Sequence, residues 1–453
     1  MQQVNKLRKD IDLKLVKSIL LLAWPVIAEM SLHTLVGISD TIMIGNWINK
    51  EALAAVGFAN QIIFPLTFIF GSFNTGATAM IARYTGEKSF DKVQRVLAQN
   101  IFLNILLGLI ITITILVFGE NLLMMFDTTH EVRANALSYL KIVSIAQVSM
   151  FINFSLTAAF RGVGDTKLSM KINGFINILN IFGNFLLITG PWFFPAIGIE
   201  GAAIATAVSR FIGSIIFIFI ALKGHRKLHL QLNLMKLTKN VFKKLFELSS
   251  AAAIEQIFMQ LSFTLGLIFI SYLSVTSEAA FQILLRIESI SFMPAIGLGI
   301  AASTLVGQAL GEKNIDKAVK IGYTTLGIGI VYGLLMGAIF ALFPESLLSI
   351  FTNDKSVVDI SITTLMLAGF NQWLLSSVII LSGALRGAGD TKAVMYITII
   401  RLWLFQLPFS YLFILVLDLG IMGFWLSEIL AFFIFIIVYL FRFKNKKWTK
   451  IKI

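Results

Sequence analysis

Three ionisable residues, Glu29, His33 and Asp40, lie within one apolar stretch near the start of the 453-residue sequence. Their spacings of four and seven residues place all three on one face of an α-helix. A carboxylate withdrawn from water binds its proton more tightly than one in solution, because desolvation disfavours the charged form. Such a group takes up a proton in one environment and releases it in another, so this face indicates proton-linked chemistry. His33 either relays protons or only hydrogen-bonds.

Polar residues also interrupt later apolar stretches. Asn180 and Asn184 are one helical turn apart and face one way, which suits either an ion site or hydrogen bonds between neighbouring helices. In the second half, AlaAlaIleGluGln around Glu255 repeats the pattern of ValIleAlaGluMet around Glu29. A carboxylate in a medium of low dielectric attracts an organic cation strongly, so we expect Glu255 to recognise cationic substrates. Glu288 is a further candidate, and pairing with a nearby basic residue is its alternative.

Other chemistries lack the residues that they need. The sequence has no Cys, which excludes disulfides, thiolate metal sites and cysteine nucleophiles. It has no Gly-x-x-x-x-Gly-Lys-Ser/Thr run to cradle phosphates. Two Gly-x-Gly-Asp runs, ending at Asp165 and Asp390, match those of intramembrane aspartyl proteases, but basic residues flank both. A turn or a helix cap is expected there. We therefore expect no enzyme, no cofactor and no bound metal.

The elements that position these residues must mostly avoid water. The chain is 57% hydrophobic and 13% charged, with a mean hydropathy of +0.86, whereas soluble domains are about 25% charged. Apolar stretches near the roughly 20 residues of a membrane-spanning helix recur from end to end. Twelve spans are predicted, at 18–45, 52–81, 96–119, 134–160, 172–190, 199–222, 246–272, 279–309, 321–343, 359–384, 393–417 and 421–441. The predicted fold is an all-α membrane protein.

The basic residues outside the predicted spans lie mostly on one side of the membrane. Thirty of the 37 Lys and Arg fall on that side, and three fall on the other. The larger set includes Lys6, Arg8, Lys9, Lys227 and Lys452. The positive-inside rule places both termini and the middle loop in the cytoplasm. The formal net charge of +13 then reflects topology and attraction to anionic lipid, with no need for nucleic acid.

The polar loops contain a duplication. ArgGlyValGlyAspThrLys at 161–167 returns as ArgGlyAlaGlyAspThrLys at 386–392. ThrGlyGluLysSerPheAspLysVal at 85–93 returns as LeuGlyGluLysAsnIleAspLysAla at 310–318. The two pairs share a single offset in residue number, which is 225. Two six-helix halves that start and end inside are parallel repeats, an arrangement found in transporters with alternating access.

The duplication predicts the domain organisation. We expect a six-helix lobe at 1–222, a basic cytoplasmic linker at 223–245, and a second six-helix lobe with a basic tail at 246–453. The substrate site is expected between the lobes, near the bilayer midplane. We expect the protein in the cell membrane, in contact with the lipid bilayer, and as a monomer.

The twelve spans, the paired loops and LeuArgIleGluSerIleSerPheMetPro at 285–294 resemble the multidrug and toxic compound extrusion (MATE) family over essentially the whole chain. The resemblance implies two pseudo-symmetric six-helix bundles in a V-shaped arrangement around a central cleft. It also implies a secondary antiporter that expels drugs or other amphipathic, often cationic, compounds in exchange for protons or sodium.

The resemblance assigns roles to polar residues of the first lobe. AspThrIleMetIleGly, which begins at Asp40, resembles the run whose aspartate is the coupling acid. Members with an ion site in this lobe often have an aspartate where this chain has Asn184. With Asn180 and Thr206, the site would hold one carboxylate. Because sodium prefers several oxygen ligands with charge compensation, this composition favours protons.

In the second lobe, Glu255 resembles an acid of the seventh span that some members use for sodium. That branch pairs it with an aspartate in the tenth span. Here the tenth span reads AsnGlnTrpLeuLeuSerSer at 371–377, without an acid. Glu255 therefore fits better as a substrate or proton acid.

The predicted function is a multidrug antiporter driven by protons, with sodium as the alternative ion. The runner-up is a lipid or lipid-linked oligosaccharide flippase of the same superfamily. Such carriers hold pyrophosphate with basic residues inside the cavity, whereas this chain is expected to place mostly acids there, with Arg210 and Arg286 as the exceptions. The predicted ion-coupling residues are Asp40, Asn180, Asn184, Thr206, His33 and Glu29, and the predicted substrate-binding residues are Glu255, Asp40 and Glu288.

Overall fold

The computed structural model describes residues 12–191, 195–236, 238–451 and 453. Four of the predicted cytoplasmic basic residues lie outside the described residues: Lys6, Arg8, Lys9 and Lys452. Within the described ranges the chain is almost wholly helical, with a single isolated bridge between His225 and Leu228. The predicted all-α membrane fold is confirmed.

The helices follow the predicted spans in order. The first half comprises α1 (Leu13–Trp47), α2 (Lys50–Gly71), α3 (Asn74–Gly86), α4 (Phe90–Leu123), α5 (His130–Ile145), α6 (Gln147–Val163), α7 (Thr166–Thr189) and α8 (Gly198–Lys223). The second comprises α9 (Lys239–Ser271), α10 (Val275–Gly311), α11 (Ile315–Leu342), α12 (Pro344–Ser349), α13 (Lys355–Gly387), α14 (Thr391–Val416) and α15 (Met422–Lys444). Two segments of α14 are π-helical, at Arg401–Gln406 and Leu412–Val416.

Eleven helical segments of the described chain are long and apolar enough to cross a membrane. One of them joins α2 and α3 into Lys50–Gly86. The count rises to twelve when α5 and α6, which meet at a 47° bend, are taken as one broken span. This bent pair corresponds to the fourth predicted span, which the sequence pattern shows as one continuous run.

The duplicated loops adopt the same turns. Gly164 and its counterpart in the second copy, Gly389, both have φ of 87°, a left-handed conformation that glycine adopts without steric penalty. Lys88 and Lys313, which are counterparts at the same offset, have φ of 57° and 58°. A positive φ is uncommon for residues other than glycine. The sequence repeat is therefore also a repeat of local structure.

The chain divides into two compact units, one formed by residues 28–249 and the other by the described residues up to Ile27 together with 250–453. The predicted boundaries at 222 and 246 stay a prediction of domain organisation. In the first unit, Asn100 donates to Asn74 at 2.9 Å and to Ser155 at 2.7 Å. This buried amide cluster joins α3, α4 and α6.

In the second unit, α10 and α13 approach each other closely along glycines. A Cβ atom at Gly383 or Gly387 would overlap the backbone of Gly299 or Ser303, respectively. Small residues permit such close contact between helices in membranes. The two helices therefore form a tightly packed pair that fixes the C-terminal part of α13.

Candidate functional site

The four polar residues predicted to form the coupling site lie together in the first unit. The Asn184 amide nitrogen donates to Asp40 Oδ1 at 2.5 Å. One turn earlier on α7, Asn180 donates to the Thr206 hydroxyl of α8 at 3.1 Å. Three helices, α1, α7 and α8, thus position one carboxylate among neutral oxygen and nitrogen atoms.

Two residues that the sequence did not assign to this site also face it. Arg210 of α8 and Tyr139 of α5 both interact electrostatically with Asp40. Arg210 is four residues after Thr206, so the helical period places both on one face of α8. That spacing is a signal which could have identified Arg210. Tyr139 has no such signal, because a tyrosine in an apolar helix is usually a packing residue.

Several polar atoms of this cluster have no hydrogen-bond partner among the described residues. They are the side-chain carbonyl oxygens of Asn180 and Asn184 and the Nη1 atom of Arg210, and all three are buried. Most buried polar groups in proteins are hydrogen-bonded. The cluster therefore has spare capacity to accept and donate when its protonation or occupancy changes.

Glu29 lies in a separate polar cluster on the same helix face as Asp40. Its Oε1 atom accepts from Arg161 Nη2 and from Asn173 Nδ2, both at 2.8 Å. Its Oε2 atom is buried and has no partner among the described residues. His33 is exposed and interacts electrostatically with Glu29 and with Arg210. Glu29 is thus fixed by an ion pair and does not bond directly to Asp40.

Glu255 occupies the equivalent position in the second unit. Its Oε1 atom accepts from Arg386 Nη2 at 2.7 Å and from the Thr398 hydroxyl at 2.8 Å. Arg386 and Thr398 are the counterparts of Arg161 and Asn173 at the offset of the duplicated loops. We call the two arrangements the Glu–Arg clamps, defined by Glu29–Arg161 and Glu255–Arg386. They explain the arginine of each duplicated loop.

The aspartates of the duplicated loops each pair with an arginine, although the two arginines are not counterparts at the offset of 225. Asp165 accepts from Arg226 at 3.0 Å, and its other oxygen accepts from the Leu168 backbone nitrogen at 3.4 Å. Asp390 accepts from Arg442 at 2.8 and 3.0 Å. Each aspartate therefore ties its loop to the end of its half, and Asp165 caps α7 as expected.

Glu288 of α10 is buried in the second unit. Its Oε1 atom accepts from Gln372 at 3.3 Å. The neighbouring Asn371 donates to Glu428 at 2.9 Å, and Glu428 interacts electrostatically with Glu288. The tenth predicted span has no acid at 371–377, but α15 supplies one beside it. In the sequence Glu428 is recognisable only as an ionisable residue within a predicted span, because its position beside Asn371 and Glu288 is set by tertiary packing.

Among the described residues, no group of three or more His, Cys, Asp or Glu side chains is arranged to hold a metal ion.

Comparisons with known proteins cover almost the whole chain. The MatE family model matches residues 25–186 and 251–412, one segment in each half. Probable multidrug resistance protein NorM of Thermotoga maritima is 31% identical over 451 residues, covering 98% of this chain and 96% of its own. Multidrug resistance protein MdtK of Pectobacterium atrosepticum is 27% identical, covering 90% and 91%. A crystal structure of MATE in the bent conformation superposes with a TM-score of 0.88 at 23% identity, covering 95% of each chain.

Proposed function

The chain belongs to the MatE family, and on that premise we propose that protons drive its export of amphipathic organic cations. Relatives named multidrug resistance proteins cover nearly its whole length, so it is a multi-pass membrane transporter for small organic compounds. It is not an enzyme, and transporters of this family need no cofactor. The proposal adds the coupling ion, the residues that bind it and the charge of the substrate.

The observation that carries the proton proposal is the geometry at Asp40. The Asn184 amide faces this carboxylate with its nitrogen at 2.5 Å, and the guanidinium of Arg210 is also near. A sodium ion would need several oxygen atoms directed at it, whereas a proton needs one carboxylate oxygen. The amide turns a nitrogen and not an oxygen toward the carboxylate, so among the described residues the site lacks the oxygen ligands that sodium needs. The proton is therefore the better fit of the two, and sodium remains the alternative ion.

Protonation of Asp40 would change the net charge of this cluster by one unit. A cation held by the ionised carboxylate loses its attraction when a proton arrives from outside, since the acid becomes neutral. The transporter then alternates between two states whose balance depends on ligand and proton. The Asn184 amide has both a donor and an acceptor atom, so it can hydrogen-bond either form of the acid and permits titration without fixing one state.

In the second unit we assign Glu255 and Glu288 to the recognition of cationic substrates. Arg386 and Thr398 hold Glu255, so a substrate cation must compete with Arg386 for this carboxylate. Glu288 accepts instead from the neutral amide of Gln372. The negative charge of Glu288 is therefore less compensated by a neighbouring positive charge than that of Glu255.

The test is drug efflux from liposomes that contain the Asp40→Asn variant. Asn mimics the protonated acid, so the variant should fold and insert into the membrane but show no more proton-driven efflux than liposomes without protein. Glu312→Gln is a matched control, because Glu312 is an exposed acid that pairs only with Lys317 among the described residues. Wild-type efflux by Asp40→Asn, or dependence on sodium without dependence on pH, would contradict the proposal.

A flippase for lipid-linked anions is the second candidate. The feature that favours it is the buried Nη1 atom of Arg210, which has no hydrogen-bond partner in the part of the chain that the structure describes, because a guanidinium binds phosphate oxygens well. Movement of a fluorescent lipid-linked pyrophosphate between leaflets, lost in Arg210→Gln, would support it. Drug export without any lipid movement would exclude it.

A further inference from the structure

Asp40, His33 and Glu29 form a ladder along one face of α1. With a rise of about 1.5 Å per residue, their backbones are separated by about 10 Å and about 6 Å in turn. The predicted topology places the start of α1 in the cytoplasm, so Glu29 is the member nearest that side. The ladder therefore runs from the coupling acid toward the cytoplasm.

The two oxygens of Glu29 have different surroundings. Oε1 takes both hydrogen bonds of the clamp, from Arg161 and Asn173, at 2.8 Å. Oε2 is buried without a partner among the described residues. The clamp thus holds the carboxylate in place and leaves one oxygen able to accept a proton.

From this geometry we infer that Glu29 is the station through which protons leave Asp40 for the cytoplasm, with His33 as the relay. Arg161 and Asn173 are positioning residues that hold Oε1 and leave Oε2 as the proton acceptor. The inference rests on the proposed function, because it takes Asp40 as the acid that loads the proton. It goes further by giving the proton a route and an exit.

Each transfer along this route conserves protons and charge. Asp40 loses its proton and becomes a carboxylate, while the imidazole of His33 gains one proton. His33 then returns to neutrality as Glu29 Oε2 takes a proton, which Glu29 releases to water on the cytoplasmic side. The charged or titratable groups that act on this path are Arg161 at Glu29, Arg210 at His33 and Asp40, and Tyr139 at Asp40.

The second unit supplies an internal comparison. Glu255 has the same clamp, formed with Arg386. Four and eleven residues after Glu255, however, the chain has Met259 and Gly266, neither of which binds protons. The clamp is therefore present in both units, and the ladder is present only in the unit that contains Asp40.

The experiment compares two transport modes of protein reconstituted in liposomes, with the fluorescent cation ethidium as the probe. One mode is uptake driven by an imposed proton gradient, and the other is ethidium exchange at equal pH, which needs no net proton movement. In Glu29→Gln and His33→Gln we expect driven uptake to fall by about tenfold or more, since a positioned proton acceptor is lost. Exchange should stay near the wild-type rate.

Glu255→Gln is the matched control, because it removes the acid of the other clamp. Whatever it does to substrate binding, it should change both modes by the same factor and leave their ratio at the wild-type value. The double variant Glu29→Gln/Arg161→Gln removes both charges of the clamp together, so it tests the same ratio without changing the net charge of the pair. Arg161→Lys, which keeps the charge, should retain more driven uptake than Arg161→Gln.

Two results would overturn the inference: equal loss of both modes in Glu29→Gln and in the double variant, or undiminished driven uptake in both. Asp40→Asn, measured in parallel, separates this failure from that of the proposed function. If Asp40→Asn loses driven uptake while Glu29→Gln keeps it, only the route is wrong. If Asp40→Asn keeps it, the proposed coupling acid is wrong.

Discussion

Replacing Arg386 with Gln should destabilise the second unit by about 3 kcal/mol. Arg386 donates to Glu255 at 2.7 Å, and the Glu255 side chain is only 4% exposed. Removing one partner of a buried ion pair costs about 3–5 kcal/mol, because the other charge is left uncompensated. Arg401 also interacts with Glu255, and Thr398 still donates to it. Because these contacts remain, we expect the loss of stability to lie at the lower end of that range.

An exposed ion pair in the same unit isolates the effect of burial. Lys317 and Glu312 are also 2.7 Å apart, but their side chains are 48% and 41% exposed. Exposed pairs contribute about 0–1 kcal/mol, since water and salt screen them. Lys317→Gln removes the same charge at the same distance as Arg386→Gln. It should therefore leave stability almost unchanged.

Thermal unfolding of the purified protein in detergent, followed by the fluorescence of its seven Trp residues, measures both changes. The double variant Arg386→Gln/Glu255→Gln should unfold at a higher temperature than Arg386→Gln alone, because no lone charge remains. Equal unfolding temperatures for Arg386→Gln and Lys317→Gln would refute the argument from burial. A double variant less stable than both single variants would refute the argument from an uncompensated charge.

Three further outcomes are expected. Gly387→Ala should destabilise the protein by about 1–3 kcal/mol through overpacking against Ser303. Gly327→Ala should not, because there is open space around Gly327. Thermal unfolding of both variants would check this, and equal destabilisation would contradict it. Lys227→Cys, the only thiol in a chain without Cys, should react with a membrane-impermeant maleimide only from the cytoplasmic side; labelling from outside intact cells would reverse the topology. Glu255→Gln should reduce export of cationic drugs more than that of neutral drugs; equal reduction would remove its role in recognising charge.

The sequence predicted the helical spans well because hydropathy alone governs which segments can cross a bilayer. It did not predict the bend between α5 and α6, since no Pro or Gly marks residues 143–149. The bend lies where α4 approaches closely: a Cβ at Gly108 would lie 2.7 Å from the Val148 Cα atom. The cause is tertiary packing, which local sequence does not carry.

The candidate site could be predicted only in part, for a similar reason. Asp40, Asn180 and Asn184 stand out as polar residues in apolar helices, and the structure brings them together. The partners of Glu29 and Glu255 were not predicted, because the arginines of the duplicated loops read as surface charges. Both arginines lie in the last turn of a helix, where spacing does not distinguish a side chain that contacts its own bundle from one that faces water.

The Glu–Arg clamps also identify the sequence offset that relates the first membrane-spanning helix of one half to that of the other. The loops repeat at an offset of 225, whereas Glu29 and Glu255 differ by 226. A shift of one residue turns a helix by about 100°, so only one of these offsets can align the facing side chains. The partners of the two glutamates are equivalent, and the contacts therefore establish 226 as the correct offset for α1 and α9.

The additional residue of the first half lies after its glutamate. The interval from Glu29 to the start of α2 at Lys50 is one residue longer than that from Glu255 to the start of α10 at Val275. With either offset, the position equivalent to Asp40 is Leu265 or Gly266, and neither side chain titrates. The duplication thus kept the clamp in both halves, while the ionisable ladder belongs to the first half alone.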